Sequence, residues 1–264
     1  MATEITSRHN HYIKLVKNLE KRKFREETGL FVLEGFRSLQ EAMETKYKLE
    51  AILLTPSAYV KLQSDDYYQN LEERTRLFIV EEKIFNDLAQ TQTPQGILII
   101  AQKRVYKLDH MLDSGKLVVV ADGIQDPGNL GTIIRTMAAA GAGGLLLTGG
   151  SVDVYNPKVL RSTMGGIFYL PFVVEDTEGI IKAIENYDYN LVVADINGRQ
   201  KYYEIDLSGK VALVIGNENH GPADIFLQRA SSIIKIPMPG GVESLNASVA
   251  AAILIYETVR QKGL

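Results

Sequence analysis

From Leu117 onward the chain repeats one pattern, a short and nearly all-apolar segment followed by a helical stretch. The apolar segments are Leu117–Ala121 (LVVVA), Gly144–Leu147, Phe172–Val174, Leu191–Ala194, Val211–Ile215 and Ile233–Ile236. A strand without a polar face must be covered on both sides, which predicts a mostly parallel sheet between two helical layers. Helical spacing falls between the strands, at Leu130–Ala140, Pro157–Met164, Glu178–Glu185, Ala223–Arg229 and Ala247–Arg260. This is an α/β domain over residues 117–264. Residues 1–103 read as a smaller α/β unit, with strands at Leu30–Glu34, Leu49–Leu54, Leu77–Val80 and Gly96–Ala101. Its helices are expected at His11–Lys23, Phe36–Glu44, Pro56–Leu62 and Glu82–Ala89, with polar connecting structure over Asp65–Glu73. Residues 104–116 lack a pattern and read as a linker.

Several function classes are set aside by composition. No apolar run reaches the ~20 residues of a membrane span, and MATEITSRHN has no apolar leader core, so a cytoplasmic protein with no membrane partner is expected. With no cysteine there is no disulfide, thiol nucleophile or thiolate metal site. The four histidines have no metal-ligand spacing with carboxylates, so no metal is expected. Net charge is −3, yet Arg8 to Arg25 holds seven basic residues and one acidic, a local +6. Arg8, Lys14, Lys17, Lys21 and Arg22 are candidate nucleic-acid contacts on that arm; a solvated helix face is the alternative. Lys158 and Arg161, three apart near a helix start, form a second basic pair. The last helix has one polar residue, Ser248, between Ala247 and Tyr256. A helix apolar all round is buried all round, and a homodimer interface would bury it.

The motif search leaves three loops. There is no phosphate-binding G-x-x-x-x-G-K-[ST]. Gly141–Gly144 resembles part of a dinucleotide fingerprint but follows a helix and has Leu146 in place of the third glycine, which weakens a nucleotide-binding oxidoreductase. Ser244 has no nucleophile-elbow context. The three polar, glycine-bracketed loops each follow a predicted strand, at the edge where open parallel sheets bind ligands. The first is DGIQDPGNLGTIIR (Asp122–Arg135), with Asn129 as expected helix cap. The second is GNENHG (Gly216–Gly221), with Glu218 as its acid. The third runs from Ile236 through Ser244 to Asn246.

Together these loops resemble the three motifs of the SpoU (TrmH) family, within the SPOUT superfamily of knotted RNA methyltransferases. Asp126-Pro127-Gly128-Asn129-Leu130-Gly131 with Arg135 resembles the first. Leu213-Val214-Ile215-Gly216-Asn217-Glu218 with Gly221 resembles the second. Ile236-Pro237-Met238 through Ser244-Leu245-Asn246-Ala247-Ser248 resembles the third. The likeness covers Lys116 to Arg260, and residues 1–103 resemble a substrate-binding domain similar to a ribosomal protein.

The resemblance implies a C-terminal trefoil knot, a homodimer, and methyl transfer from S-adenosylmethionine to a ribose 2′-hydroxyl of RNA. It assigns catalytic weight to Asn129, Arg135, Glu218, Ser244 and Asn246, and cofactor binding to Ala194, Gly216, Asn217, Ile236, Met238 and Leu245. Arg135 is read as a cation for the target phosphate and the developing alkoxide, because guanidinium stays protonated. Glu218 is read as orienting Arg135, or as a base if buried. Ribosomal RNA, 23S rRNA above all, is the expected substrate. A transfer RNA, or a non-catalytic RNA-binding assembly protein of the same fold, stay as alternatives.

Overall fold

The computed structural model describes residues 2–263 except 66, 67, 70 and 90. The chain divides into two compact units, one of Met1–Arg104 with Tyr155–Arg161 and one of Val105–Val154 with Ser162–Leu264.

The first unit is built on strands β1 (Thr3–Ile5), β2 (Leu30–Glu34), β3 (Leu49–Leu54), β4 (Arg76–Val80) and β5 (Ile97–Gln102), in the order β1-β4-β3-β5-β2. β4 is parallel to β1 and β3, whereas β5 is antiparallel to β3 and β2. Helix α1 (His11–Leu19) starts at Asn10, whose side chain accepts from the Tyr12 N–H. It buries Ile13, Leu15, Val16 and Leu19 against Leu53, Phe78, Leu98 and Ile100. The single helix expected over His11–Lys23 is two, because the chain breaks after Leu19 and resumes as α2 (Arg22–Thr28). Arg25 is the cause visible in the structure. Its buried guanidinium donates to the carbonyls of Leu19 (2.8 Å) and Glu20 (2.7 Å) at the end of α1.

Helices α3 (Phe36–Glu44), α4 (Pro56–Gln63) and α6 (Glu82–Asn86) complete the unit with a short α5 (Leu71–Arg74). α5 lies in the stretch expected to be irregular; positions 66, 67 and 70 of that stretch lie outside the described residues. The stretch 104–116 also holds a helix, α7 (Leu108–Leu112), whose Met111 and Leu112 are buried in the core of the second unit.

That second unit contains β6 (Val118–Ala121), β7 (Gly144–Leu147), β8 (Phe172–Val174), β9 (Asn190–Ala194), β10 (Gln200–Lys201), β11 (Val211–Ile215) and β12 (Ser232–Lys235). The order is β10-β12-β9-β11-β6-β7-β8, and every pairing among the described residues is parallel. Its helices are α8 (Pro127–Ala139), α10 (Thr177–Asn186), α11 (Asp224–Arg229) and α12 (Ala247–Gln261), while α9 (Pro157–Thr163) lies mostly in the segment Tyr155–Arg161 that belongs to the first unit. On one face Val118, Val120, Leu146, Val193 and Val214 pack with Ile180, Ile184 and Phe226. The alternate positions Val119, Leu145, Val192 and Leu213 are buried as well, so both faces are covered as the apolar strands require. Each buried side chain of this size contributes about 1.5–3 kcal/mol.

α12 packs on α8. Within one chain it is not buried all round. Ser248, Ala251, Leu254, Ile255 and Thr258 are buried, while Val249 and Tyr256 are 47% and 50% exposed. Among the described residues no helix is long and apolar enough to cross a membrane.

Candidate active site

Parallel pairing brings the carboxyl ends of β6, β9, β11 and β12 to one edge, and the motif loops leave from there. In the first loop Asp126, not Asn129, caps α8; its Oδ1 accepts from the Asn129 N–H at 2.7 Å, with Pro127 in the first turn. Both residues are good caps, but a proline at the first helical position makes the residue before it the cap. The Asn129 side chain is therefore available for other partners.

Those partners come from the other two loops. Asn129 Nδ2 donates to Glu218 Oε1 at 2.9 Å, and Asn246 Nδ2 donates to Asn129 Oδ1 at 2.9 Å. Asn246 caps α12, its Oδ1 accepting from the Ser248 N–H (2.9 Å) and the Ser248 hydroxyl (2.7 Å). The orientation of this relay is fixed by its ends. The Ser248 and Val249 N–H groups at the α12 terminus can only donate, so Asn246 must turn its oxygen there and its amide toward Asn129. Asn129 then presents its own amide to Glu218, which as a carboxylate only accepts. Burial pushes the Glu218 carboxyl up, but the Asn129 bond and the backbone N–H groups of Glu218, Gln125 and Asp126 outweigh it. The net effect holds the carboxyl below its ordinary value.

Arg135 lies elsewhere. It is exposed on α8, 600° of helical turn from Asn129 at about 100° per residue, and has no hydrogen-bond or ion-pair partner among the described residues. The expected orientation of Arg135 by Glu218 is not found, because Glu218 is engaged by Asn129.

In the second loop Gly216 is demanded by the backbone itself. A Cβ there would lie 2.1 Å from the Pro222 nitrogen and 2.3 Å from the Gly221 carbonyl carbon. Asn217 is used within the edge: Oδ1 accepts from the N–H groups of Asn219 (2.9 Å) and His220 (3.1 Å), and Nδ2 donates to the Gly123 carbonyl (2.7 Å).

The third loop closes a cavity of ≈ 100 Å³ lined by Ala194, Ile236, Met238 and Leu245 together with Asp195, Ile196, Ile234, Ser244 and Ala250. Four of the six expected cofactor residues thus meet in one place, while Gly216 and Asn217 are not part of its wall. Ser244 belongs to this cavity rather than to the asparagine relay. Apolar walls suit an adenine ring and a methionine chain, and Asp195 adds a carboxylate, the kind of acceptor that ribose hydroxyls need, to the lining. The residues present therefore fit the expected adenosyl cofactor. Asp195 and Ile196 were missed by the sequence reading; the available signal was their place directly after β9, at the same edge.

The basic residues divide. Arg8 is paired with Asp87 and Arg22 with Glu26, both at 2.7 Å. Lys14, Lys17 and Lys21 are exposed and without partners among the described residues. Lys158 and Arg161 are exposed on α9. Among the described residues no cluster of three or more histidine, aspartate or glutamate side chains could hold a metal ion.

Comparison with known proteins agrees with this geometry. Residues 116–256 match the model of the SpoU rRNA Methylase family, and residues 10–99 match an MRM3-like substrate binding domain. The chain is 32% identical to the 23S rRNA (guanosine(2553)-2′-O)-methyltransferase RlmP of Bacillus subtilis, over 96% of this chain and 98% of that one. It is 28% identical to a 23S rRNA (uridine(2479)-2′-O)-methyltransferase of Streptomyces viridochromogenes, covering 99% and 93% of the two chains. The crystal structure of an AdoMet-bound rRNA methyltransferase from Sinorhizobium meliloti superposes with a TM-score of 0.89 at 29% identity, over 98% of each chain. The chain belongs to the SpoU rRNA methylase family, and it is an S-adenosylmethionine-dependent methyltransferase of RNA ribose 2′-hydroxyls.

Proposed function

We propose that this enzyme methylates a ribose of 23S ribosomal RNA, with residues 1–103 holding the RNA and residues 117–264 carrying out the transfer. The observation that carries the reading is the relay Glu218–Asn129–Asn246, which ties all three motif loops together beside an apolar cavity. The relatives in Bacillus subtilis and Streptomyces viridochromogenes are named as 23S rRNA enzymes and align along nearly the whole chain, the first unit included.

The cofactor, bound against Ala194, Ile236, Met238 and Leu245, supplies a sulfonium methyl that is already activated. What remains for the protein is to align a poor nucleophile and to stabilise it as its proton leaves. Arg135, exposed and without a partner among the described residues, binds the target phosphate and stabilises the alkoxide as it forms. Glu218 is a poor base, since its carboxyl is held below the ordinary range; its work is to fix Asn129. Asn129 and Asn246 then orient the ribose, and Ser244 hydrogen-bonds the nucleotide from the cavity wall. Lys14, Lys17 and Lys21, with Lys158 and Arg161, contact the RNA backbone, where phosphate neutralisation supplies much of the affinity.

The same proposal includes a trefoil knot, supported by the insertion of β12 between β10 and β9 and the return of α12 to α8. It includes a homodimer, supported by the exposed apolar stripe of Val249 and Tyr256, and action in the cytoplasm.

The test is methyl incorporation from labelled S-adenosylmethionine into 23S rRNA and into tRNA from a strain lacking the enzyme, followed by mapping of 2′-O-methyls. A single new site in 23S rRNA is expected. Labelling of tRNA alone would overturn the substrate. No cofactor binding by calorimetry at micromolar protein would favour the non-catalytic alternative.

A further inference from the structure

We infer that Asp122 is a positioning residue for methyl transfer and acts through Glu218. This rests on the reading above that the Glu218–Asn129–Asn246 relay serves the reaction.

Asp122 directly follows β6, is 8% exposed, and uses both carboxylate oxygens. Oδ1 accepts from the Thr148 hydroxyl at 2.7 Å and Oδ2 from the Ala223 N–H at 2.7 Å. Thr148, buried after β7, also accepts from the Gly123 N–H at 3.0 Å. Ala223, two residues past the end of the GNENHG loop, is the N-cap of α11. The start of that loop is held from the same place, since Asn217 Nδ2 donates to the carbonyl of Gly123, the residue after Asp122. Both ends of the loop are thus anchored on Asp122–Gly123, with Gly216 pressed against the Gly221–Pro222 backbone between them.

Glu218 sits at the tip of this anchored loop. It meets Asn129 at 2.9 Å, and the N–H groups of Gln125 and Asp126 approach its two oxygens at 3.4 Å. The first and second loops therefore touch twice: at the base through Asp122 and at the tip through Glu218. A carboxylate suits the base because it accepts from two donors on different loops and donates to none. An amide in its place has one acceptor oxygen where the carboxylate has two. Its NH₂ end would face the Ala223 N–H, donor against donor, or would make the Thr148 hydroxyl turn from donor to acceptor. The loop end would then shift, and Glu218 with it. Positional errors of about 1 Å far from the reacting atoms can cost up to ~10²-fold in rate.

A buried carboxylate can also serve the fold alone, and the experiment separates the two. Single-turnover methyl transfer, RNA and cofactor affinity, and thermal unfolding are measured for Asp122→Asn, Thr148→Val, Glu218→Ala and the double variants Asp122→Asn/Glu218→Ala and Thr148→Val/Glu218→Ala. Each single variant is expected to slow transfer about tenfold or more, with RNA and cofactor affinities within a few fold. Each double variant is expected to react at the rate of Glu218→Ala alone, since contacts in one network do not add. Thr148→Val removes a partner of Asp122 without touching the charge, so the result does not hang on one variant's folding. Additive losses, or a wild-type rate for Asp122→Asn, would overturn the inference and leave the relay reading intact. A wild-type rate for Glu218→Ala would remove the relay from the reaction, and this inference with it.

Discussion

The two sheets are built from the same alternation of strands and helices, yet one edge of one sheet gathers the chemistry. In the seven-stranded sheet every pairing among the described residues is parallel, so the loops after β6, β9, β11 and β12 share an edge, and those after β6, β11 and β12 hydrogen-bond one another. In the five-stranded sheet β5 runs against β3 and β2, so each edge mixes strand starts with strand ends. The cations divide too, by whether the fold engages them rather than by sheet. Arg8 and Arg22 are ion-paired and Arg25 is buried as a helix cap, whereas Arg135, like Lys14, Lys17 and Lys21, is exposed and has no partner among the described residues. A cation engaged by the fold stabilises the fold; a cation left open is available to a substrate.

Arg135→Ala puts the largest strain on that contrast. In the role proposed for Arg135, loss of its charge is expected to slow methyl transfer by about 10²–10³-fold. Cofactor affinity measured by calorimetry should stay within a few fold, because Arg135 is not in the wall of the cavity. Activity that survives would place the reaction's electrostatics elsewhere on the edge. Gly216→Ala comes next. Its new Cβ meets backbone at 2.1 Å, and backbone cannot swing aside as a side chain can. A loss of roughly 1–3 kcal/mol of stability is expected, together with weaker methyl transfer as the second loop shifts. The counterpart in the first unit is Arg25→Met, which leaves the Leu19 and Glu20 carbonyls without their donor. About 1–3 kcal/mol should be lost in denaturant unfolding, with cofactor affinity unchanged.

Much of this architecture was legible because the period of the apolar residues carries it. The bounds of β3, β7, β8, β11 and α3 fall where the sequence puts them. The misses have physical reasons. β1 is three residues at a sheet edge, and α7 is five, both too short for periodicity to register. The break after Leu19 depends on where the Arg25 guanidinium folds back, which no local pattern reports. In the site, residue types were readable but pairings were not. Glu218 is expected from the sequence to orient Arg135, the partner that charge alone favours. The structure joins it to Asn129 because the Asp126 cap and the Asn246 cap leave Asn129 one donor to place.

A smaller effect is expected from the lysines of the first unit. Replacing Lys14, Lys17 and Lys21 by alanine removes up to three phosphate contacts. At ~0.7 per contact for a single strand, the salt slope of RNA binding should fall by about 2. The paired residues serve as the control, and Arg8→Ala with Arg22→Ala should change the slope less. Equal changes would mean that the ion pairs open when RNA binds, and the contrast between engaged and open cations would lose its meaning there.

The smallest expected effect is a change that does not occur. Glu218 is held below its ordinary value of 4.5 by donors from Asn129 and the nearby backbone, which outweigh its burial. A carboxyl depressed in the folded state stabilises the structure above its unfolded pKa and loses that contribution as pH falls through the folded value. From pH 5 to 8 Glu218 is therefore ionised throughout, and the relay keeps one arrangement. Glu218→Gln is expected to lower the methyl-transfer rate without moving the pH–rate profile across that window. A general base would behave differently, since its acid limb would follow its own ionisation and vanish with it. If the limb disappears in Glu218→Gln, Glu218 takes the ribose proton, and the engaged side chain at this edge would be a reacting one after all.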